Sequence, residues 1–275
     1  LCDIDGTSGS ATLSISQNYK SCIATKGNLL LESGIYTLTS TAVAVYDSSE
    51  KDFNSPTCLR ADGNIVVTGG TVTGTASGNG SKGMKAGGTY TQSGGTINVS
   101  ATGSAATSGS YSSSAKGVRI TGAIVISGGT LYASSQSHEA IESKSTITIS
   151  GGEVYGYSAS DDGINASSDF TVSGGYVCGY APENDGLDSN GNMYIQGGVV
   201  FAVCSTSPEV ALDANTEGGY KLYITGGTIM TLGPLESGST LTQTCYKASS
   251  WSANTTYGLT IGDTTYTFKT PSSTS

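Results

Sequence analysis

The sequence is poor in charge, histidine and proline, and it has no long apolar run. Charged residues make up 12% of its 275 residues, against roughly 25% in typical soluble domains, so we expect a surface made largely of hydroxyl groups. The net charge of −9 provides no basic face for phosphate groups, which argues against nucleic acid as a partner. No run approaches the roughly 18 apolar residues of a membrane-spanning helix, so we expect no membrane insertion.

The scarcity of histidine restricts the enzyme classes that the chain can serve. His138 is the only histidine, so a Ser-His-Asp triad would have to use it. The surrounding SQSHEAIES contains nothing like the sharp turn that presents a catalytic serine. We therefore expect His138 to be a surface loop residue beside Glu139.

What the sequence does contain is a 23-residue repeat, clearest in AIESKSTITISGG, GINASSDFTVSGG and GLDSNGNMYIQGG. Each unit holds an aliphatic residue, a turn, an alternating strand, a Gly pair and a second strand. The aliphatic positions are Leu59, Met84, Val118, Ile141, Ile164, Leu187 and Leu212. Three short strands per unit, no helical periodicity and only five prolines predict an all-β, single-domain parallel β-helix, right-handed, with about eight or nine coils.

Departures from the period mark insertions and the end of the solenoid. Two insertions, at residues 46–55 and 103–114, are expected to decorate one face, which in solenoids is often the binding face. The period stops after Leu232, so we expect the β-helix to occupy residues 1–232. Residues 233–275 are expected to form a C-terminal cap packed on the helix end, with YGLTIGDTTYTF as a hairpin.

The six cysteines are compatible with an oxidising compartment. Together with the hydroxyl-rich surface they favour a secreted or cell-surface protein, extracellular or periplasmic in a bacterium, which we expect to be a monomer. Cys22 and Cys58 fall at the same repeat position in successive units, which makes them a candidate disulfide. The alternative is that both are small buried thiols.

Charged residues flank the aliphatic position of each unit. Two residues before it stand Lys82, Lys116, Glu139, Asp162 and Asp185. One residue after it stand Arg60, Lys85, Arg119, Glu142, Asn165, Asp188 and Asp213. Because neighbouring coils of a β-helix lie about 4.8 Å apart, acids in successive coils repel each other unless a counterion neutralises them.

Calcium is the natural counterion, because it takes roughly six to eight oxygen ligands in flexible geometry. The predicted calcium ligands are Asp161, Asp162, Asn165, Asn184, Asp185, Asp188, Glu139, Glu142 and Asp213. The oxygen-only ligand set argues against zinc. The alternative is that Asp and Asn at turns bind their own backbone amides and need no metal.

The turns Asp162-Gly163 and Asp185-Gly186, each followed by an alternating strand and a Gly pair, resemble a secreted carbohydrate-binding β-helix family, distantly like pectate lyases. The resemblance covers about residues 59–231 and implies binding of acidic plant polysaccharides with the help of calcium. Lys82-Gly83 and Lys116-Gly117 depart from the motif, so the resemblance implies no calcium site in those earlier coils.

Outward-facing tyrosines and the basic residues complete the predicted ligand-binding set. Its members are Lys82, Lys85, Lys116, Arg119, Tyr132, Tyr155, Tyr157 and Tyr180. Tyrosine rings can stack on sugar faces, although pairing between neighbouring strands explains them without a ligand. We expect a non-catalytic, adhesin-like module that binds an acidic polysaccharide.

Two other functions suit the same architecture. The first is a polysaccharide lyase that acts on uronic-acid polymers, for which Arg119 is the candidate base. The second is a structural stalk with a protein partner, in which the acidic residues would be solvated surface.

Overall fold

The computed structural model describes residues 2–4, 11–248 and 250–272. Over most of this length the chain winds as a parallel β-helix, as the repeat predicts. In each full coil the chain passes through three walls, and each wall is a stack of parallel strands. The first wall is a separate seven-stranded sheet, whereas the second and third walls belong to one large sheet.

The walls have the following strands. The first wall contains Ile23–Thr25, Thr57–Ala61, Lys82–Ala86, Lys116–Ile120, Ile141–Ser143, Ile164–Ala166 and Leu187–Ser189. The second wall contains Cys2–Ile4, Leu29–Leu31, Ile65–Val67, Tyr90–Gln92, Ile124–Ile126, Ile147–Ile149 and Phe170–Val172. The third wall contains Thr12–Gln17, Ile35–Ser40, Thr71–Ala76, Thr96–Ala101, Thr130–Ser135, Glu153–Ser158 and Tyr176–Tyr180. In the last coils, Met193–Val203 and Leu222–Leu232 run through both the second and the third wall.

Alternation within each strand separates the core from the surface. Ile147 and Ile149 are buried inside the coil, whereas Thr148 between them is partly exposed. The same position in neighbouring coils stacks Ile124 on Ile147 and Ile147 on Phe170. One continuous apolar core therefore runs along the axis of the solenoid, which is the arrangement that stacked repeats require.

The Gly pairs form the corner between the second and third walls. Gly152 has a φ of +76°, and a Cβ there would lie 2.6 Å from the carbonyl oxygen of Gly129 in the neighbouring coil. A residue with a side chain is therefore opposed twice, by its backbone conformation and by the adjacent coil. This explains why the pair recurs at nearly every coil.

Both predicted insertions are β-hairpins. The first hairpin pairs Val45–Asp47 with Asp52–Asn54, and the second pairs Ala106–Ser108 with Tyr111–Ser113. The two pack on each other through Tyr46 and Tyr111, whose ring centroids are 5.0 Å apart. The prediction that the insertions decorate one face is confirmed.

The C-terminal region extends the solenoid and then folds back along it. Leu235 forms a bridge to Leu212, and Thr240–Leu241 pairs with the last long strand, so the coil stack continues past residue 232. The third hairpin, Thr256–Ile261 with Thr264–Lys269, is the predicted one. It packs on the side of the third wall instead of the helix end, because outward apolar side chains of the last coils, led by Phe201, form a cluster with Phe268 there.

Cys22 and Cys58 lie in neighbouring coils, as their repeat positions predict, and both are free thiols in the structure. The candidate disulfide is therefore not formed. The Cys22 thiol donates to the carbonyl of Thr39 at 3.2 Å. Burial, reinforced by the nearby Cys22, raises the pKa of Cys58 to about 12, so Cys58 is a buried neutral thiol, whereas Cys22 is half-buried.

Helical structure among the described residues is limited to the short 3-10 turn Thr216–Gly218. Within that same part of the chain, no helix has the length and apolar character needed to cross a membrane.

Candidate functional site

The outer surface of the first wall, which we call the charged face, owes its form to a tight turn in each coil. A Cβ on Gly163 would lie 2.6 Å from the carbonyl oxygen of Gly186, and a Cβ on Gly186 would lie 2.7 Å from that of Ala211. Because the chain turns inward at this small residue, Asp162 before it stays outside while Ile164 after it enters the core.

Strand register arranges the charged side chains of this face into two columns. The first column holds Lys82, Lys116, Glu139, Asp162 and Asp185. The second column holds Arg60, Lys85, Arg119, Glu142, Asn165, Asp188 and Asp213. The sign of the charge changes between Arg119 and Glu142. We call the coils up to Arg119 the basic half and those from Glu139 onward the acidic half.

Lys82 is buried in the basic half, beneath the first and second hairpins. Its ammonium donates to Ser55 Oγ at 2.8 Å, to the Gly80 carbonyl at 2.8 Å and to Ser113 Oγ at 2.7 Å. Burial, together with the neighbouring cations, lowers the pKa of Lys82 to about 7. Since all three donors have protein partners, we remove Lys82 from the predicted ligand-binding set.

The second column of the basic half remains partly accessible. Arg60 pairs with Asp62 at 2.8 Å. Arg119 lies 3.8 Å from Glu142 through Nε and donates to Thr121 Oγ1 at 3.3 Å. Burial, followed by the charges of Arg119 and Arg60, lowers the pKa of Lys85. Lys85 and Arg119 thus form a half-buried pair of neighbouring cations.

Lys116 joins the two halves through ion pairs. Its Nζ lies 2.8 Å from Glu139 Oε2 and 2.8 Å from Glu142 Oε1. Lys144 also pairs with Glu142. Burial opposes ionisation of Glu142, but Lys116 and Lys144 outweigh it and the pKa of Glu142 is lowered. Glu139 and Glu142 therefore already have lysine partners, so neither carboxylate lacks a counterion that calcium would supply. Their assignment to a calcium site stays a prediction.

Three carboxylates converge further along the acidic half. One oxygen each from Asp185, Asp188 and Asp213 lies within 4.8 Å of the others. No lysine or arginine among the described residues forms an ion pair with them. A set of carboxylate oxygens from adjacent coils, uncompensated by protein cations, fits a calcium ion by donor chemistry.

Burial and the crowding of these carboxylates raise their pKa values. Burial first, and then the neighbouring carboxylates, raise the pKa of Asp188 to about 9 and that of Asp213 to about 8. The same causes raise the pKa of Asp162 to about 7 and that of Asp185 to about 6. Asn165 donates to Asp162 Oδ2 at 2.9 Å and also to Asp188, so hydrogen bonds relieve only part of the repulsion.

A second group of ligand atoms lies at the corner between the third and first walls. His138, Glu139 and Asp161 each offer one atom within 4.8 Å of the others. His138 Nδ1 lies 3.3 Å from Asp161 Oδ2, and Asn184 Nδ2 donates to Asp161 Oδ1 at 3.0 Å. Asp161 and Asn184 are therefore together, as predicted, but apart from the Asp185 group.

Two members of these groups were missed in the sequence. Glu236 lies close enough to Asp213 to raise its pKa, and it lies one residue after Leu235 as Asp213 lies one residue after Leu212. His138 precedes Asp161 by 23 residues. In both cases the repeat spacing itself was the signal that could have found them.

The predicted tyrosines form stacks on the outer face of the third wall. Tyr157 and Tyr180 have ring centroids 5.0 Å apart and nearly parallel planes. Tyr132 and Tyr155 are 6.2 Å apart, and Tyr155 is 5.4 Å from Tyr176. This stripe reaches the corner that carries Asp161, so it borders the charged face.

Comparison with known proteins gives one match. Residues 47–163 match the model of a family described as carbohydrate-binding domain-containing protein. The matched range runs from the first hairpin through the basic half and into the acidic half, and it supports carbohydrate binding. No curated protein and no solved structure matches the chain.

Proposed function

We propose that the protein is a non-catalytic, extracellular module that binds an acidic polysaccharide with the help of calcium. The observation that carries this proposal is the convergence of Asp185, Asp188 and Asp213 within 4.8 Å of one another, on a solenoid with a carbohydrate-binding family match. The cluster is partly buried, and an acidic cluster of this kind without protein cations is costly unless a counterion or protons neutralise it.

Calcium would be held by these three aspartates, with Asp162 and Asn165 alongside them in the preceding coil. The ion supplies positive charge with open coordination positions, which carboxylate and hydroxyl oxygens of a sugar acid can fill. The protein groups fix the site on rigid strands, so the sugar acid meets a preformed surface.

Beyond the three aspartates, the charged face and the tyrosine stripe offer a polysaccharide an extended binding surface. Lys85 and Arg119 present positive charge on the same face as the acidic cluster, about three to five coils away at about 4.8 Å per coil. The tyrosine stripe offers flat apolar surface for the faces of sugar rings. A chain of several uronic acid units would therefore meet cations, calcium and aromatic rings in turn.

The test is binding to polygalacturonate, measured by retention in affinity gels and by calorimetry, with calcium and with EDTA. We expect binding in calcium and at least a tenfold loss in EDTA. Asp188→Asn with Asp213→Asn should reproduce the EDTA result in the presence of calcium. Asp263→Asn, in the turn of the third hairpin, is the matched control and should bind normally.

The same experiment separates the other two functions. A lyase would generate an unsaturated sugar, seen as a rise in ultraviolet absorbance, and Arg119→Lys would abolish that rise. A structural stalk would leave polygalacturonate unbound in both buffers. Binding that does not respond to EDTA would overturn the calcium dependence while leaving carbohydrate binding in place.

A further inference from the structure

A cleft at the last complete coil has the composition of a sugar subsite. Its volume is about 190 Å³, and it is lined by the turn from Cys204 to Glu209, by Gly233 and Pro234, and by Trp251. Sites for drug-sized ligands usually have roughly 300–1,000 Å³. A cleft of this smaller size suits a single sugar ring.

The turn that lines the cleft is longer than its equivalent in the preceding coil. Twelve residues separate Val200 from Leu212, whereas ten separate Val177 from Leu187 in the preceding coil. The longer turn contains the residues from Cys204 to Glu209 that line the cleft. The C-terminal segment adds Trp251 to the lining, and Trp251 also packs against the apolar cluster that includes Val203 and Leu232.

The lining groups have complementary chemistry. Trp251 is the only tryptophan in the sequence, and its indole contributes a broad apolar surface with one polar edge. Thr206 is anchored by donating to the Pro182 carbonyl at 2.9 Å. Glu209 has no hydrogen-bond or ion-pair partner among the described residues, so its carboxylate is free to accept hydrogen bonds from sugar hydroxyls.

The position of the cleft links it to both surfaces of the proposed site. Val210, next to Glu209, donates its backbone N–H to Asp185 Oδ1 at 2.7 Å, so the cleft adjoins the acidic cluster. On the other side, Tyr157 and Tyr180 continue in register into Val203, against which Trp251 packs. The cleft therefore lies where the tyrosine stripe meets the charged face.

We infer that this cleft binds one pyranose ring of the polysaccharide, with Trp251 against the ring face and Glu209 accepting from its hydroxyls. The inference rests on the proposed function and adds a specific subsite to it. It makes Trp251 and Glu209 binding residues, neither of which lies in the repeat columns.

The sole tryptophan provides a direct readout of the cleft. Trigalacturonate, added in calcium buffer, should change the emission of Trp251 and shift it to shorter wavelength in a saturable way, because a ring stacked on the indole excludes water. The midpoint should agree with the affinity measured by calorimetry on the same sample.

Variants of Trp251 and Glu209 test whether trigalacturonate binds in the cleft. Trp251→Ala should weaken binding of trigalacturonate by about tenfold, roughly the worth of one aromatic contact. Glu209→Gln should weaken it several-fold without disturbing the apolar cluster, so it carries the test if Trp251→Ala lowers the melting temperature. The matched controls are Tyr246→Ala and Glu217→Gln, at exposed positions outside the cleft, and both should bind normally.

The outcomes distinguish the two proposals. If the protein binds polygalacturonate while the emission and the Glu209→Gln affinity stay unchanged, the cleft is not a subsite and the proposed function stands. If the wild-type protein binds neither polygalacturonate nor trigalacturonate, both proposals fall.

Discussion

The basic and acidic halves of the charged face are built from the same coil, yet they compensate their charges differently. In the basic half, Lys82 donates to Ser113 of the second hairpin, to Ser55 just after the first hairpin and to the carbonyl of Gly80. In the acidic half, Asp185, Asp188 and Asp213 face one another without a protein cation among the described residues. The strand register places like charges next to one another in successive coils. Neutralising those charges requires groups that the repeat itself does not supply.

At the junction between the basic and acidic halves, by contrast, the protein supplies both the positive and the negative charges. Lys116 faces Glu139 and Glu142 of the next coil, so opposite signs meet at the spacing where elsewhere equal signs meet. The difference between the basic and acidic halves follows from which residues occupy the two charged columns in each coil. The following predictions test that interpretation, beginning with the largest effect.

Removing the cation at the junction should be the most damaging change. Lys116→Met should lower the free energy of unfolding by about 3 kcal/mol or more, because an acid that is 1% exposed, Glu142, loses its main partner. Urea unfolding measures this. Lys144→Met removes a lysine that is 44% exposed and should cost about 1 kcal/mol or less. Equal losses in both variants would contradict the central role of Lys116.

Adding the missing cation should stabilise the acidic half. At a calcium concentration of 100 times Kd, binding to the native state alone should add about 2.7 kcal/mol of stability, seen as a higher melting temperature. Asp188→Asn should abolish most of this rise and, in EDTA, should be more stable than the wild type because it removes a crowded charge. A melting temperature that ignores calcium in the wild type would remove the calcium hypothesis.

The pH dependence of the calcium-free protein should follow the raised pKa values in the acidic half. The folded-state pKa values of about 7 for Asp162 and about 9 for Asp188 lie above the ordinary value of 3.8, so protonation favours the native state. Their contribution is complete below about pH 4 and is lost as the pH rises through about 7 to 9. In EDTA the melting temperature should fall over that window, and saturating calcium should flatten the curve. A melting temperature independent of pH would contradict the crowding.

The smallest effect should appear in the basic half, with the opposite sign. The pKa of Lys82 is lowered from 10.5 to about 7, by burial and by Lys85, Arg119 and Lys116 against the charge of Glu142. Its contribution to stability is therefore complete above about pH 10.5 and is lost as the pH falls from there to about 7.

Lys82→Met tests this sign. The variant should gain stability relative to the wild type as the pH falls from about 10.5 to about 7, with little further change below pH 7. The gain is measured as the difference between their melting temperatures in EDTA. Lys247→Met, at an exposed position, is the control and should show no pH-dependent difference. The opposite trend would mean that the three hydrogen bonds of Lys82 outweigh the cost of its burial.

The repeat alone predicted most of the fold, because the stacking of coils turns sequence period into register. It correctly paired Asp162 with Asp185 and Tyr157 with Tyr180, and it located both inserted hairpins. It did not reveal that those hairpins bury Lys82, since packing between two insertions depends on their conformation and not on the period.

Contacts from outside the repeat were the least predictable. The side-on position of the third hairpin depends on Phe201 and Met230, which read as ordinary outward residues in the sequence. Trp251 lies beyond the last coil, so no spacing relates it to Glu209. The periodic part of the candidate site could thus be predicted, whereas its cleft depends on tertiary packing.

The glycine corners hold the coils together, whereas the outward side chains of the coils are available for recognition. At each corner the coils meet through backbone atoms, and Gly152 and its equivalents leave no room for a side chain. The outward positions of each coil make no such demand on the backbone. Substitutions at the exposed ones, unlike those at the buried ion pairs of Lys116, can therefore change the pattern of charge coil by coil while the scaffold is unchanged. A family of binders with different ligand preferences could therefore be engineered on this chain by exchanging pairs of surface residues.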